Sequence, residues 1–181
     1  MGIVGCGAIS EWHAKALKKA SRTNVVACID PVAERAQHLA ALTGATACAS
    51  LEDAQVLGLD AVALLVPHHL HEKLALESFD AGLHVALEKP MSTDLASCER
   101  ILSAAARDTT KVFMLAENAQ YWPEVSAARE LIDQGAIGEK IPALIAIHAF
   151  VKNAVELGEI THRRGPPAGG DKRRRGAQHI R

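Results

Sequence analysis

The chain has 181 residues, 49% of them hydrophobic and 3% aromatic, and 20 Lys and Arg against 21 Asp and Glu leave a formal net charge of −1. That length suits one domain, or one domain and part of a second, with enough apolar material for a core. The sequence holds no run of the roughly 18 consecutive apolar residues that a membrane span requires and no signal-peptide pattern, which argues against a membrane or secreted protein.

The first segment, Gly2-Ile3-Val4, is an apolar strand that runs into Gly5-Cys6-Gly7-Ala8-Ile9-Ser10 and then a helix reaching Ala20. A strand, a glycine turn and a helix in this order bind the pyrophosphate of a dinucleotide. Glycines let the backbone approach, and the helix end offers free N–H groups. Ser10 takes the third position of the pattern and is small enough for close helix–strand packing. Val25–Ile29 reads as a second buried strand, and it ends at Asp30, where a carboxylate would accept the hydroxyls of an adenosine ribose.

A helix over Val32–Leu42 and a short strand at Ala45–Cys48 follow. Asp60–Val66 is a continuous apolar run, as expected of a strand covered on both faces, and Pro67 ends it. A helix from His69 to Asp80 stops at Gly82. Leu83–Leu87 is the next strand, leading into Glu88-Lys89-Pro90. Ser92 or Thr93 is expected to cap a helix over Asp94–Arg107, and Lys111–Ala116 is a sixth strand. A helix from Pro123 to Gln134 ends at Gly135. Pro142–Val151 would be the first strand of a second unit that reads as cut short.

Strand–helix alternation at this spacing predicts an α/β fold with a doubly wound parallel sheet, and the ligand of such a sheet lies beyond the C-terminal ends of its strands. Gly5–Ser10, Asp30, Pro67–His71, Glu88–Pro90 and Glu117-Asn118 all fall there. Lys89 is the leading chemical candidate. A cation at that edge can hydrogen-bond a substrate hydroxyl, or the carbonyl it becomes, and relay a proton during hydride transfer. Glu88 would hold the ammonium or touch the nicotinamide ribose. Pro90 restricts Lys89 to extended geometry.

His68, His69 and His71 lack the Cys or carboxylate companions of a metal site, so no metal is assigned. His71 is placed in a first helical turn, bonding backbone or the cofactor ribose. His13, His38, His84 and His148 have no evident partners. Cys6, Cys28, Cys48 and Cys98 show no metal spacing and read as free thiols in a reducing cytoplasm. Residues 1–161 carry 13 Lys and Arg against 20 Asp and Glu, whereas 162–181 carry 7 against 1. That basic tail has no apolar periodicity, interleaved aromatics or nucleic-acid motif, and disorder is its default.

The glycine turn, the strand ending at Asp30, Pro67-His68-His69-Leu70-His71, the tract from Ala81 through Glu88-Lys89-Pro90, and Leu131–Gly138 stand in an order that resembles the Gfo/Idh/MocA oxidoreductases over residues 1–151. Ala116-Glu117-Asn118 through Trp122-Pro123 looks most like the dihydrodiol dehydrogenase branch. The resemblance implies a Rossmann domain over 1–118, the start of an α/β substrate and oligomerisation domain over 119–161, and the basic tail beyond. It implies NAD(P)-dependent oxidation or reduction of sugars, cyclitols and related alcohols. By position, Gly5, Gly7, Ala8, Ile9 and Ser10 would meet the pyrophosphate. Asp30 would favour NAD over NADP, and Pro67, His68, His71 and Glu88 would line the nicotinamide half, bordered by Glu117 and Asn118. Lys89 matches the family's catalytic lysine.

The chain departs from the family pattern in its second domain, most of which it lacks. An Asp-x-x-x-His pair belongs there, and Asp171 and His179 have the wrong spacing for it. Three readings therefore stand beside one another: an NAD-dependent oxidoreductase acting on a polyol or sugar, a non-catalytic NAD-binding regulator that pairs with a full-length relative, and a non-functional truncated product. A homo-oligomer is the assembly that the family implies.

Overall fold

A computed structural model describes residues 1–136. Met1–Arg129 form one compact unit, which carries the sheet and every site residue named above. In chain order its elements are β1 (Gly2–Val4), α1 (Ala8–Lys19), β2 (Ala27–Ile29), α2 (Ala33–Thr43), β3 (Thr46–Cys48), α3 (Leu51–Gln55), β4 (Ala61–Leu64), α4 (His71–Asp80), β5 (His84–Leu87), α5 (Leu95–Ala105) and β6 (Phe113–Leu115). Helix α6 (Pro123–Asp133) follows, and two 3₁₀ turns, His68–Leu70 and Asn118–Tyr121, precede α4 and α6.

The six strands form one parallel sheet in the order β3-β2-β1-β4-β5-β6. This is the doubly wound Rossmann topology, and the order reverses between β1 and β4. Alternate residues of the short strands face opposite layers. Val4, Ile29, Leu64 and Leu87 pack toward α3, α4 and α5. Ile3, Cys28 and Ala63 pack toward α1 and α2, against Ala14 and Leu39. Both faces are covered, which is why the strands read as unbroken apolar runs rather than alternating ones.

The strands end level with one another. Val4 is in register with Ile29 and Leu64, and Leu87 with Leu64 and Leu115. The ladder continues one residue further through Gly5 N–H to the Ile29 carbonyl (2.8 Å), Glu88 N–H to Leu64 (3.0 Å) and Ala116 N–H to Leu87 (2.8 Å). Gly5, Asp30, Glu88 and Ala116 therefore stand in one row across the sheet edge.

Some expectations are corrected. Asp94, not Ser92 or Thr93, caps α5, its carboxylate accepting the Ser97 N–H at 2.9 Å. An Asp at the N-cap itself reaches that N–H, which Ser92 and Thr93 do not. His13, His38 and His84 all have partners: Glu88, Glu11 and the Val112 N–H. The helix expected from His69 begins at His71, behind a 3₁₀ turn. Helix α3 and the 3₁₀ turn at Asn118–Tyr121 were not foreseen. The strand expected at Pro142–Val151, His148 and the basic tail lie outside the described residues. No described helix is long and apolar enough to cross a membrane.

Candidate functional site: the edge between Gly5 and Lys89

The two glycines of the first turn answer different demands. Gly5 has φ +90°, and a Cβ there would stand 2.4 Å from the Leu65 carbonyl oxygen. Only glycine fits, because β1 passes this close to the end of β4 at the point where the sheet order reverses. Gly7 has φ −82° and ψ −170°, a conformation open to any residue, and a Cβ there would meet nothing within 4 Å. Gly7 also caps α1 without any side-chain hydrogen bond to the helix end. Gly7, Ala8 and Ile9 are exposed, so the positive end of α1 faces open space. That space, which the protein itself does not need, fits a pyrophosphate. Ser10 is fully buried, and its hydroxyl donates to the Gly7 carbonyl at 2.5 Å, so it shapes the turn from within.

Asp30 is buried at the end of β2. One carboxylate oxygen accepts the Cys6 N–H and the other the Val32 N–H, each at 2.9 Å. It ties the glycine turn to the start of α2, and an ionised carboxylate retains further lone pairs for a ribose. Beside it, a hydrogen bond with the Cys28 thiol, together with burial, pushes the Cys6 thiol up.

At the other end of the row, Glu88 makes two contacts. Its Oε1 lies 2.9 Å from His13 Nε2 on α1, and its Oε2 accepts the Lys89 N–H at 3.0 Å. Lys89 and Pro90 are exposed, joined by a cis peptide bond. Pro67 and His68 are exposed after β4, whereas His71 is fully buried. The His71 ring meets His68 edge-on at 5.4 Å and reaches the carbonyls of Val66 and Pro90. Glu117 and Asn118 stand beyond β6, with Glu117 accepting the Ala119 N–H at 3.1 Å.

The structure thus joins Gly5–Ser10 to Asp30 through Cys6, and α1 to Lys89 through His13 and Glu88. Sequence reasoning missed His13. Its spacing of three from Ser10 sets it one turn on along the same helix face, a signal that was available.

Residues 1–116 match the sequence profile of an oxidoreductase family with an NAD-binding Rossmann fold. The chain belongs to the Gfo/Idh/MocA family. Among relatives of this Gfo/Idh/MocA chain, the inositol 2-dehydrogenase of Leifsonia xyli subsp. xyli is 33% identical over 141 residues, spanning 77% of this chain and 42% of the relative. The crystal structure of the WlbA dehydrogenase from Bordetella pertussis, in complex with NADH and UDP-GlcNAcA, has a TM-score of 0.72 and 32% identity, over 76% of this chain and 40% of that one. The scyllo-inositol dehydrogenase from Lactobacillus casei, with bound NAD(H) and scyllo-inositol, has a TM-score of 0.71 and 25% identity, over 86% and 48%. The chain spans less than half the length of these relatives. The matched family carries an NAD-binding Rossmann fold, and the Gly5–Ser10 turn lies within the matched residues.

Proposed function

We propose that this edge serves an NAD-dependent dehydrogenase of cyclitols, sugars or related polyols, with Lys89 as the group that meets the reacting oxygen. The observation that carries it is the placement of an exposed Lys89 directly after Glu88, which stands in one row with Gly5 of the glycine turn, and the tie of its backbone to α1 through Glu88 and His13. NAD supplies the hydride acceptor. Gly7, Ala8 and Ile9 hold the pyrophosphate on backbone N–H groups, and Asp30 accepts the adenosine ribose hydroxyls. A carboxylate there favours NAD over NADP by repelling the extra phosphate. Pro67, His68, Glu117 and Asn118 border the nicotinamide half.

Oxidation of a secondary alcohol removes a hydride from carbon and a proton from oxygen. As the neutral amine, Lys89 takes the proton from that oxygen; as the resulting ammonium it hydrogen-bonds the carbonyl oxygen, and it then releases the proton to solvent. In the reverse direction it polarises the carbonyl and returns the proton. The relatives are named as dehydrogenases, which favours this reading over a non-catalytic binder.

The test is myo- or scyllo-inositol oxidation by the full chain with NAD, measured by NADH absorbance. Lys89→Met should lower kcat at least about a hundredfold, the ordinary scale of acid–base catalysis, while NADH affinity stays near wild type. Equal rates in the two proteins would remove Lys89 from the reaction.

A further inference from the structure

We propose that His71, at the start of α4, is a positioning residue for Lys89 that holds the Pro90 carbonyl of the turn after β5; the proposal rests on the reading of Lys89 given above. His71 opens α4 and is fully buried, so its two ring nitrogens cannot rely on water. Both meet backbone carbonyls. Nδ1 lies 2.9 Å from the Pro90 oxygen and 3.3 Å from that of Met91, and Nε2 lies 3.0 Å from the Val66 oxygen. A carbonyl only accepts, so each contact is a hydrogen bond only when that nitrogen carries its proton. The neutral ring makes one of the two bonds, and the charged ring makes both.

Val66 follows β4 and Pro90 follows β5, neighbouring strands paired from Ala61–His84 to Leu64–Leu87. One ring therefore spans the two strand-end turns that flank the edge. Lys89 sits directly before Pro90, and its own N–H is held by Glu88 at 3.0 Å. Its backbone is thus fixed on both sides, by Glu88 at its N–H and by His71 at the next carbonyl. A lysine stem is long and flexible, so the backbone is the part of Lys89 that the fold can aim.

Two conservative variants separate positioning from filling space. In His71→Asn the side-chain N–H₂ falls near the place of Nδ1 and keeps the bond to Pro90. In His71→Gln it falls near Nε2 and keeps the bond to Val66. Hydrogen exchange over Leu87–Thr93 is followed by mass spectrometry on the full chain, with α1 as internal reference. His71→Gln should exchange about fivefold faster, the loss of one hydrogen bond, with His71→Asn within about twofold of wild type. The same ranking is expected for kcat of polyol oxidation, with the KM for NAD little changed.

Equal exchange in the two variants, whether fast or slow, would make His71 a packing residue and overturn the proposal. If wild type shows no Lys89-dependent turnover, the functional reading fails and exchange still decides the role of His71. If either variant does not fold, nitrogen-15 NMR of the histidine-labelled wild type decides instead. A proton on Nδ1 of His71 supports the clamp on Pro90, and a bare Nδ1 overturns it.

Discussion

His13 Nε2 on α1 and Glu88 Oε1 at the end of β5 lie 2.9 Å apart, though 75 residues separate them in the chain. The contact joins the helix that faces the pyrophosphate to the strand end that presents Lys89. It is half-buried, so solvent weakens it less than a surface pair. His13→Ala should cost about 1 kcal/mol in wild type and much less in a Glu88→Gln background. Urea denaturation of the four proteins of this cycle measures the coupling, and simple additivity would show that the two groups do not interact.

The glycines of the turn should separate folding from binding. Gly5→Ala places a methyl group 2.4 Å from the Leu65 carbonyl on a left-handed backbone, and it should cost at least about 2 kcal/mol. Gly7→Ala meets no protein atom, so its stability should stay within about 1 kcal/mol of wild type. The same methyl group occupies the space assigned to the pyrophosphate, and NADH affinity should fall at least about tenfold. Thermal melts and NADH titrations on both variants check this. Unchanged binding in Gly7→Ala would place the phosphates elsewhere.

Acid should loosen the contact between α4 and α5. Arg100 makes a two-pronged ion pair with Glu72, its Nη2 donating to Oε2 at 2.9 Å and its Nε to Oε1. The hydrogen bonds from the Arg100 guanidinium are the chief cause that holds the Glu72 carboxyl down at about 2, against an ordinary value of 4.5. A carboxyl depressed on folding stabilises above its unfolded value, and that contribution is lost as pH falls from about 4.5 to about 2. The difference in Tm between wild type and Glu72→Gln should therefore be present at pH 6 and shrink through that window. It should also shrink with added salt, because the pair is at the surface. A difference that grows on acidification would contradict the assignment.

The four thiols should divide into two classes. Cys6 and Cys28 are buried, and burial shields both from a reagent in solution, although their hydrogen bond pushes the Cys6 thiol up and the Cys28 thiol down. Cys48 and Cys98 are half-buried. A thiolate-specific reagent should titrate two thiols in the native chain and all four after unfolding. Fast modification of Cys6 in the native state would mean that the glycine turn is open rather than packed.

Much of this was legible in the sequence, and for a physical reason. The apolar runs at Gly2–Val4, Asp60–Val66 and Leu83–Leu87 are short, continuous and closed by turn residues, the pattern of buried parallel strands. The residue that closes each run, Gly5, Pro67 and Glu88 in turn, then falls at the sheet edge by construction. Runs such as Asp60–Val66 exceed the strand Ala61–Leu64 because burial continues past the ladder, as Leu65 shows. Partnerships were not legible. His13 with Glu88, His71 with the Val66 and Pro90 carbonyls, and Asp30 with the Cys6 N–H all join residues distant in sequence. No local period encodes such pairs. Asp30 stood out by its place at a strand end, but its grip on the glycine turn depends on how β1 and β2 sit side by side.

If Gly5–Ser10 and Asp30 form an NAD site, the chain binds NADH in preference to NADPH. The most direct measurement is a fluorescence titration of the full chain with NADH and, in parallel, with NADPH. Saturable binding at least about tenfold tighter for NADH, a difference of about 1.4 kcal/mol, is the expected result. A folded chain that binds neither nucleotide, or binds NADPH more tightly, would contradict it.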